Sequence, residues 1–167
     1  MIDKLKSNIE DCLICEKKLP NRPRPIVQFS SNSKILILAQ APGQKAHDNG
    51  IPFDDLSGNN LREWLGVSRE QFYNSDIFAI MPMGFCFPGK GKTGDLPPRK
   101  ECAPQWHNLI LEKLEHLELI ILIGQYSQNY YLKYNKYKNL TDTVSNFQDF
   151  LPKYFPIVHP SPLNFRW

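Results

Sequence analysis

The sequence predicts a three-layer α/β/α sandwich built around a central, mostly parallel four-stranded sheet. Three observations lead to it. Apolar runs of strand length recur along the chain, the segments between them carry helical spacing, and the two kinds alternate with no internal repeat.

Residues 2–11 read as a short amphipathic helix that leads into Cys12-Leu13-Ile14-Cys15. The Pro-rich stretch Pro20–Pro25 then forces an extended crossing, because proline supplies no N–H and biases the residue before it away from helix. Lys34-Ile35-Leu36-Ile37-Leu38-Ala39 is continuously apolar after its lysine, the pattern of a strand covered on both faces, and it stops at Gln40-Ala41-Pro42-Gly43. Ser57 is a good helix N-cap and Gly66 a plausible stop, so Leu61, Trp64 and Leu65 fall on a helix. Ile77–Met81 is a second buried strand. A Gly/Pro/Lys loop from Met83 to Lys100 precedes a helix over Pro104–Leu117, where Trp106, Leu109, Ile110 and Leu114 recur at helical spacing. Leu119–Ile123 is the third strand and ends at Gly124; a helix from Gln125 to Tyr134 and a short strand at Pro156–Val158 complete the order.

The chain has 167 residues, enough for one domain spanning residues 1–167 with a core of its own. Apolar residues make up 41% and charged residues 22%, with a net charge of +3, which excludes a disordered or strongly polybasic chain. A pI near 8.6 permits contact with phosphates without establishing it. No signal-like or membrane-spanning run is present, so a cytoplasmic monomer with no membrane partner is expected. In a reducing compartment the four cysteines are metal ligands or buried thiols rather than disulfides.

In open parallel sheets ligands sit beyond the carboxyl ends of the strands. That rule brings Gln40–Gly43, Met83–Cys86 and His159–Leu163 to one cleft. His159-Pro160-Ser161-Pro162-Leu163 after the last strand, Ala39-Gln40-Ala41-Pro42-Gly43 after the first and Pro52-Phe53 beyond it together resemble the uracil-DNA glycosylase superfamily across nearly the whole chain. Within it, the sequence is similar to the iron–sulfur branch, whose first motif is Gly-Glu-Ala-Pro-Gly; here Ala39 and Gln40 stand in the first two places.

The resemblance implies a DNA glycosylase of base-excision repair, acting on DNA and hydrolysing the N-glycosidic bond of a flipped, deaminated base. It makes Gln40 and His159 the catalytic pair: Gln40 orients water without supplying a negative charge, and His159 donates to the departing base. Ala41, Pro42, Gly43 and Phe53 are the base-binding set, with Phe53 stacking on the base. Met83 stands where the family has an Asn that reads the base edge, and a thioether cannot make that donor–acceptor pair. His47 and Gln125 are possible substitutes. Ser161, Pro162, Leu163 and Arg166 are the expected DNA contacts, Leu163 as the wedge that fills the vacated stack. Cys12, Cys15, Cys86 and Cys102 match the ligands of a [4Fe–4S] cluster that ties the N-terminus to the long loop; zinc and unliganded thiols are the alternatives. Lys90, Lys92, Arg99 and Lys100 form a basic loop that either touches the DNA backbone or is simply solvated.

The chain ends at Arg166-Trp167, where the family commonly continues into a further helix, so an under-covered sheet face is expected. Two further readings stay open: a catalytically weak member that binds DNA or a damaged nucleotide, and a hydrolase of free nucleosides.

Overall fold

The computed structural model of the chain describes residues 1–164. Helix α1 (Ile2–Glu10) buries Leu5 and Ile9, and a 3₁₀ turn, Glu16–Lys18, follows the first cysteine pair. Strand β1 (Ile35–Ala39) leads to α2 (Gln44–Asn49), which ends at Gly50 with φ 71°. Helix α3 (Leu56–Leu65) starts at Asp55, whose carboxylate accepts the Gly58 N–H, and stops at Gly66. Helix α4 (Arg69–Phe72) opens with a capping box between Ser68 and Gln71. Strand β2 (Phe78–Pro82) is followed by a small hairpin, β3 (Lys90–Gly91) and β4 (Gly94–Asp95). A π-helical turn, Ala103–His107, runs into α5 (Asn108–Leu111). Strand β5 (Leu119–Ile123), α6 (Gly124–Tyr131), α7 (Leu140–Ser145), a 3₁₀ turn at Phe147–Phe150 and β6 (Tyr154–Ile157) complete the order.

The sheet order is β2-β1-β5-β6, with every neighbouring pair parallel. Side chains alternate across it. Leu36, Leu38, Ala79, Met81, Ile120 and Leu122 face one core with Ile9, Trp106 and Ile110; Ile37, Phe78, Ile80, Ile121 and Ile123 face the other with Leu61 and Phe72. Burial on both faces is why these strands are continuously apolar, each such side chain contributing about 1.5–3 kcal/mol.

The β2 edge of the sheet is occupied from within the chain. Gln28 bridges antiparallel to Ile80, exchanging backbone hydrogen bonds of 2.9 and 2.7 Å, and the Ile26 N–H donates to Phe85 O at 2.8 Å. Beside β6, Phe147 meets Phe155 at 5.2 Å on one face, while Phe150 packs into the core of the other.

Several elements differ from expectation. The helix expected over Pro104–Leu117 ends at Leu111, and although Leu114 still reaches the core, Leu109 is exposed. Trp64 is also exposed, because the buried face of α3 is Gly58, Leu61 and Arg62, which leaves Trp64 on its flank. The last strand starts at Tyr154, two residues before the expected Pro156. Helices α2, α4 and α7 and the β3–β4 hairpin are too short to show apolar periodicity.

Candidate active site

A cleft of about 340 Å³ opens at the carboxyl ends of β1, β2 and β6. Its inner wall is Ala39, Ile80 and Pro82. Ala39 and Pro82 are register partners, so strand alternation aims both toward the face covered by α3. Ala41, Pro42 and Gly43 continue the wall, Phe53 and Asp55 come from the loop before α3, and His159, Ser161 and Leu163 follow β6.

The same alternation separates Gln40 and Met83 from this group. Neither lines the cleft. Met83 is buried in a depression on the opposite side, with Tyr126 and Tyr130 of α6, Arg99 and Lys100. The backbone around Gln40 extends the β1–β2 ladder instead, its carbonyl accepting the Gly84 N–H at 3.1 Å while Ala39 O accepts the Met83 N–H at 2.8 Å. His47 and Gln125 are likewise outside the cleft; the His47 ring lies 6.1 Å from Phe87.

Phe53 has φ 55°, a left-handed conformation that costs a residue with a side chain about 1–3 kcal/mol. Its surroundings impose it. Arg62 donates to Phe53 O at 3.3 Å, and a Cβ on Gly58 would stand only 1.7 Å from that oxygen, so position 58 admits no side chain. The ring meets Phe72 edge-on at 6.1 Å while lining the cleft.

The His159 loop is pinned from two sides: Asn60 of α3 donates to Pro160 O at 3.0 Å, and Asn164 donates to His159 O at 2.8 Å. Burial lowers the His159 pKa from its ordinary 6.5, with the Asp55 charge opposing, so the imidazole is neutral at pH 7. Ser161 Oγ accepts the Leu163 N–H at 3.3 Å, closing the Pro162 turn. Leu163 stands 81% exposed at the rim, free to enter a partner surface. Arg166 lies outside the described residues.

Asp55 is a site residue that the sequence did not mark, because the capping signal there is read on Ser57. One carboxylate oxygen accepts the Gly58 N–H at 2.8 Å. The other lies 4.0 Å from the position a Cβ on Gly43 would take, and Asp95 Oδ2 lies 3.5 Å from that same point. Of the basic loop, Lys90 lines the cleft.

The four cysteines gather between the N-terminal segment and the loop after β2. Their charges act on one another: Cys102 responds to Cys15, Cys86 and Cys12. Burial pushes Cys86 up to about 11 and Cys102 up to about 12. Donors nevertheless point at three of the sulfurs: the Phe85 N–H at Cys102, 3.4 Å, the Arg24 backbone N–H at Cys86 and the Arg99 side chain at Cys15. Such donors favour thiolates. Among the described residues, no group of three or more His, Cys, Asp or Glu side chains is placed to hold a metal ion. Glu101 fastens the same region, pairing with Lys18 at 2.7 Å and Arg99 at 2.8 Å.

Behind Pro82 sits His107, 1% exposed and stacked between Phe85 and Tyr131. Pro82 O can only accept, so Nε2 carries the proton at 3.1 Å and Nδ1 accepts the Tyr131 hydroxyl at 2.7 Å. Burial lowers the His107 pKa from 6.5 to about 4. The unfolded chain therefore takes up a proton that the folded chain refuses as pH falls through this window. Stability is complete above the unfolded value and drops toward the folded one, by at most about 1.4 kcal/mol per pH unit. Urea titrations across that range should show this slope in the native protein and a flatter one in His107→Phe.

The sequence model of the uracil DNA glycosylase superfamily matches residues 26–167. A type-4 uracil-DNA glycosylase of Thermotoga maritima is 24% identical over 170 residues, covering 98% of this chain and 83% of that protein. One of Saccharolobus solfataricus is 28% identical over 138 residues, covering 79% of this chain and 59% of that protein. Among the described residues, no helix is long and apolar enough to cross a membrane.

Proposed function

The chain belongs to the uracil DNA glycosylase superfamily, and from that premise we propose that it is a DNA N-glycosylase that takes a deaminated base, flipped from the DNA, into the cleft and hydrolyses its N-glycosidic bond. The observation that carries this reading is the meeting of Phe53, His159 and Asp55 in one cleft at the strand ends. Phe53 stacks on the base, a contact worth roughly 1–3 kcal/mol. Ala41, Pro42 and Gly43 form the wall beside it.

The bond between C1′ of the sugar and the base nitrogen breaks with its electron pair leaving on the base. Neutral His159 donates a hydrogen bond to the base carbonyl that gathers this charge. The free oxygen of Asp55 faces the growing positive charge on the sugar and takes the proton of the water that adds to C1′. Asp55 thus supplies the carboxylate that Gln40 cannot. Ser161 and Pro162 hold the DNA side of the cleft, and Leu163 fills the space the base has left.

Cys12, Cys15, Cys86 and Cys102 would hold a [4Fe–4S] cluster. Four thiolates are the ligand set such a cluster takes, and these four lie between the N-terminal segment and the loop after β2. When bound, the cluster supplies a crosslink between the N-terminal segment and the loop after β2. A monomer acting on DNA in the cytoplasm completes the proposal.

A second reading is a catalytically weak member that binds DNA or a damaged nucleotide, favoured by Gln40 standing where the branch has a carboxylate. Oligonucleotides containing uracil, hypoxanthine or xanthine, incubated with the protein and then treated with alkali, separate the two. Strand scission at the modified base is the expected result; intact strands bound by the protein would support the second reading.

A further inference from the structure

A flipped base must be read along its hydrogen-bonding edge, yet among the described residues no Asn or Gln side chain lines this cleft. One ready-made donor and acceptor pair does. Lys90 and Asp95 face each other across the β3–β4 hairpin, with Lys90 Nζ 2.6 Å from Asp95 Oδ1. Asp95 Oδ2 is free of that contact and lies over Gly43, in the cleft wall.

The hairpin is built to hold the pair there. Gly94 adopts φ 132°, a conformation that side chains resist. The Leu96 N–H donates to Gly89 O at 2.8 Å, and the Leu96 side chain packs 3.3 Å from the Cβ position of Gly91. Asp95 keeps 31% of its side-chain surface and Lys90 65%, so the two are accessible from the cleft mouth.

We propose that Lys90 and Asp95 read the lactam edge of the flipped base, Asp95 Oδ2 accepting the ring N–H and Lys90 Nζ donating to the adjacent carbonyl oxygen. The inference rests on the glycosylase reading of the cleft. It accounts for a choice between a deaminated base and its parent. Deamination of cytosine or adenine turns an amino group into a carbonyl and a bare ring nitrogen into N–H. The parent base would face the carboxylate with a lone pair and the ammonium with an amino group, so both contacts would be mismatched. Uracil, hypoxanthine and xanthine share the matching edge. Thymine and guanine carry it too, and the pair does not discriminate against them.

The test compares single-turnover release of uracil with that of 3-methyluracil, which lacks the ring N–H, from otherwise identical oligonucleotides. Native protein should strongly prefer uracil. Asp95→Ala should lower uracil release roughly 10- to 100-fold, the scale of one lost hydrogen bond to a charged group, and leave 3-methyluracil release nearly unchanged. Lys90→Met should also lower uracil release, and Lys90→Arg should restore much of it. Lys90→Met carries the same comparison should Asp95→Ala fail to fold, as thermal melting would reveal. An unchanged preference in folded Asp95→Ala and Lys90→Met overturns the proposal. Should native protein release neither base, the glycosylase reading fails by itself, and calorimetric binding of free uracil and 3-methyluracil decides the pair's role. A preference for uracil that Asp95→Ala abolishes would sustain the inference; equal binding would end it.

Discussion

His159→Ala is expected to slow base release roughly 10²- to 10³-fold in single-turnover assays, the usual cost of deleting one donor aimed at developing negative charge. Affinity for DNA should change little, since phosphate contacts dominate it. The effect is large because the imidazole is half-buried and neutral: its pKa is lowered by burial against the opposing pull of Asp55, so the donor is present at pH 7 without any protonation step. Asp55→Asn should slow the reaction too, by removing charge opposite the sugar. Because the two side chains interact, the double variant should fall short of the product of the single effects. Full activity in His159→Ala would remove this histidine from the chemistry.

Loss of the cysteine site should have the largest structural effect. Protein purified without oxygen is expected to be brown and to carry about four irons per chain, and Cys12→Ala should release the metal and lower the melting temperature. This corner joins the N-terminal segment to the region after β2, where Lys18 and Arg99 also grip Glu101. Buried Cys86 and Cys102 would be left as neutral thiols, given values near 11 and 12. Colourless protein with stoichiometric zinc would overturn the cluster assignment.

Much of the fold was legible because the three longest strands are covered on both faces and therefore read as unbroken apolar runs. The cleft was legible as loops: Gln40–Gly43 and His159–Leu163 follow β1 and β6 of one parallel sheet, and both loops contribute residues to the cleft. What escaped was the direction of individual side chains. Gln40 and Met83 fall one step past Ala39 and Pro82, and a period of two sends consecutive residues to opposite faces. Sequence order marks the right loop but not the right face. Asp55 was hidden by its helix-capping role, which Ser57 could equally have filled. Asp95, which lines the cleft, was hidden in a loop whose lysines drew attention to phosphate. Arg62 was equally silent: it is buried at 7% exposure on the inner face of α3 and donates to Phe53 O.

The covered β2 edge bears on how this protein keeps company with other chains. A parallel sheet of four strands ends in two rows of backbone donors and acceptors, the usual invitation to strand addition and to amyloid-like growth. Here the Gln28 segment answers the row on β2, exchanging two backbone hydrogen bonds with Ile80. Strand addition at that edge would have to displace the Gln28 segment, whereas Phe53 and His159 line the cleft at the strand ends. Residues around the cleft can therefore vary with the ligand without uncovering the backbone of β2.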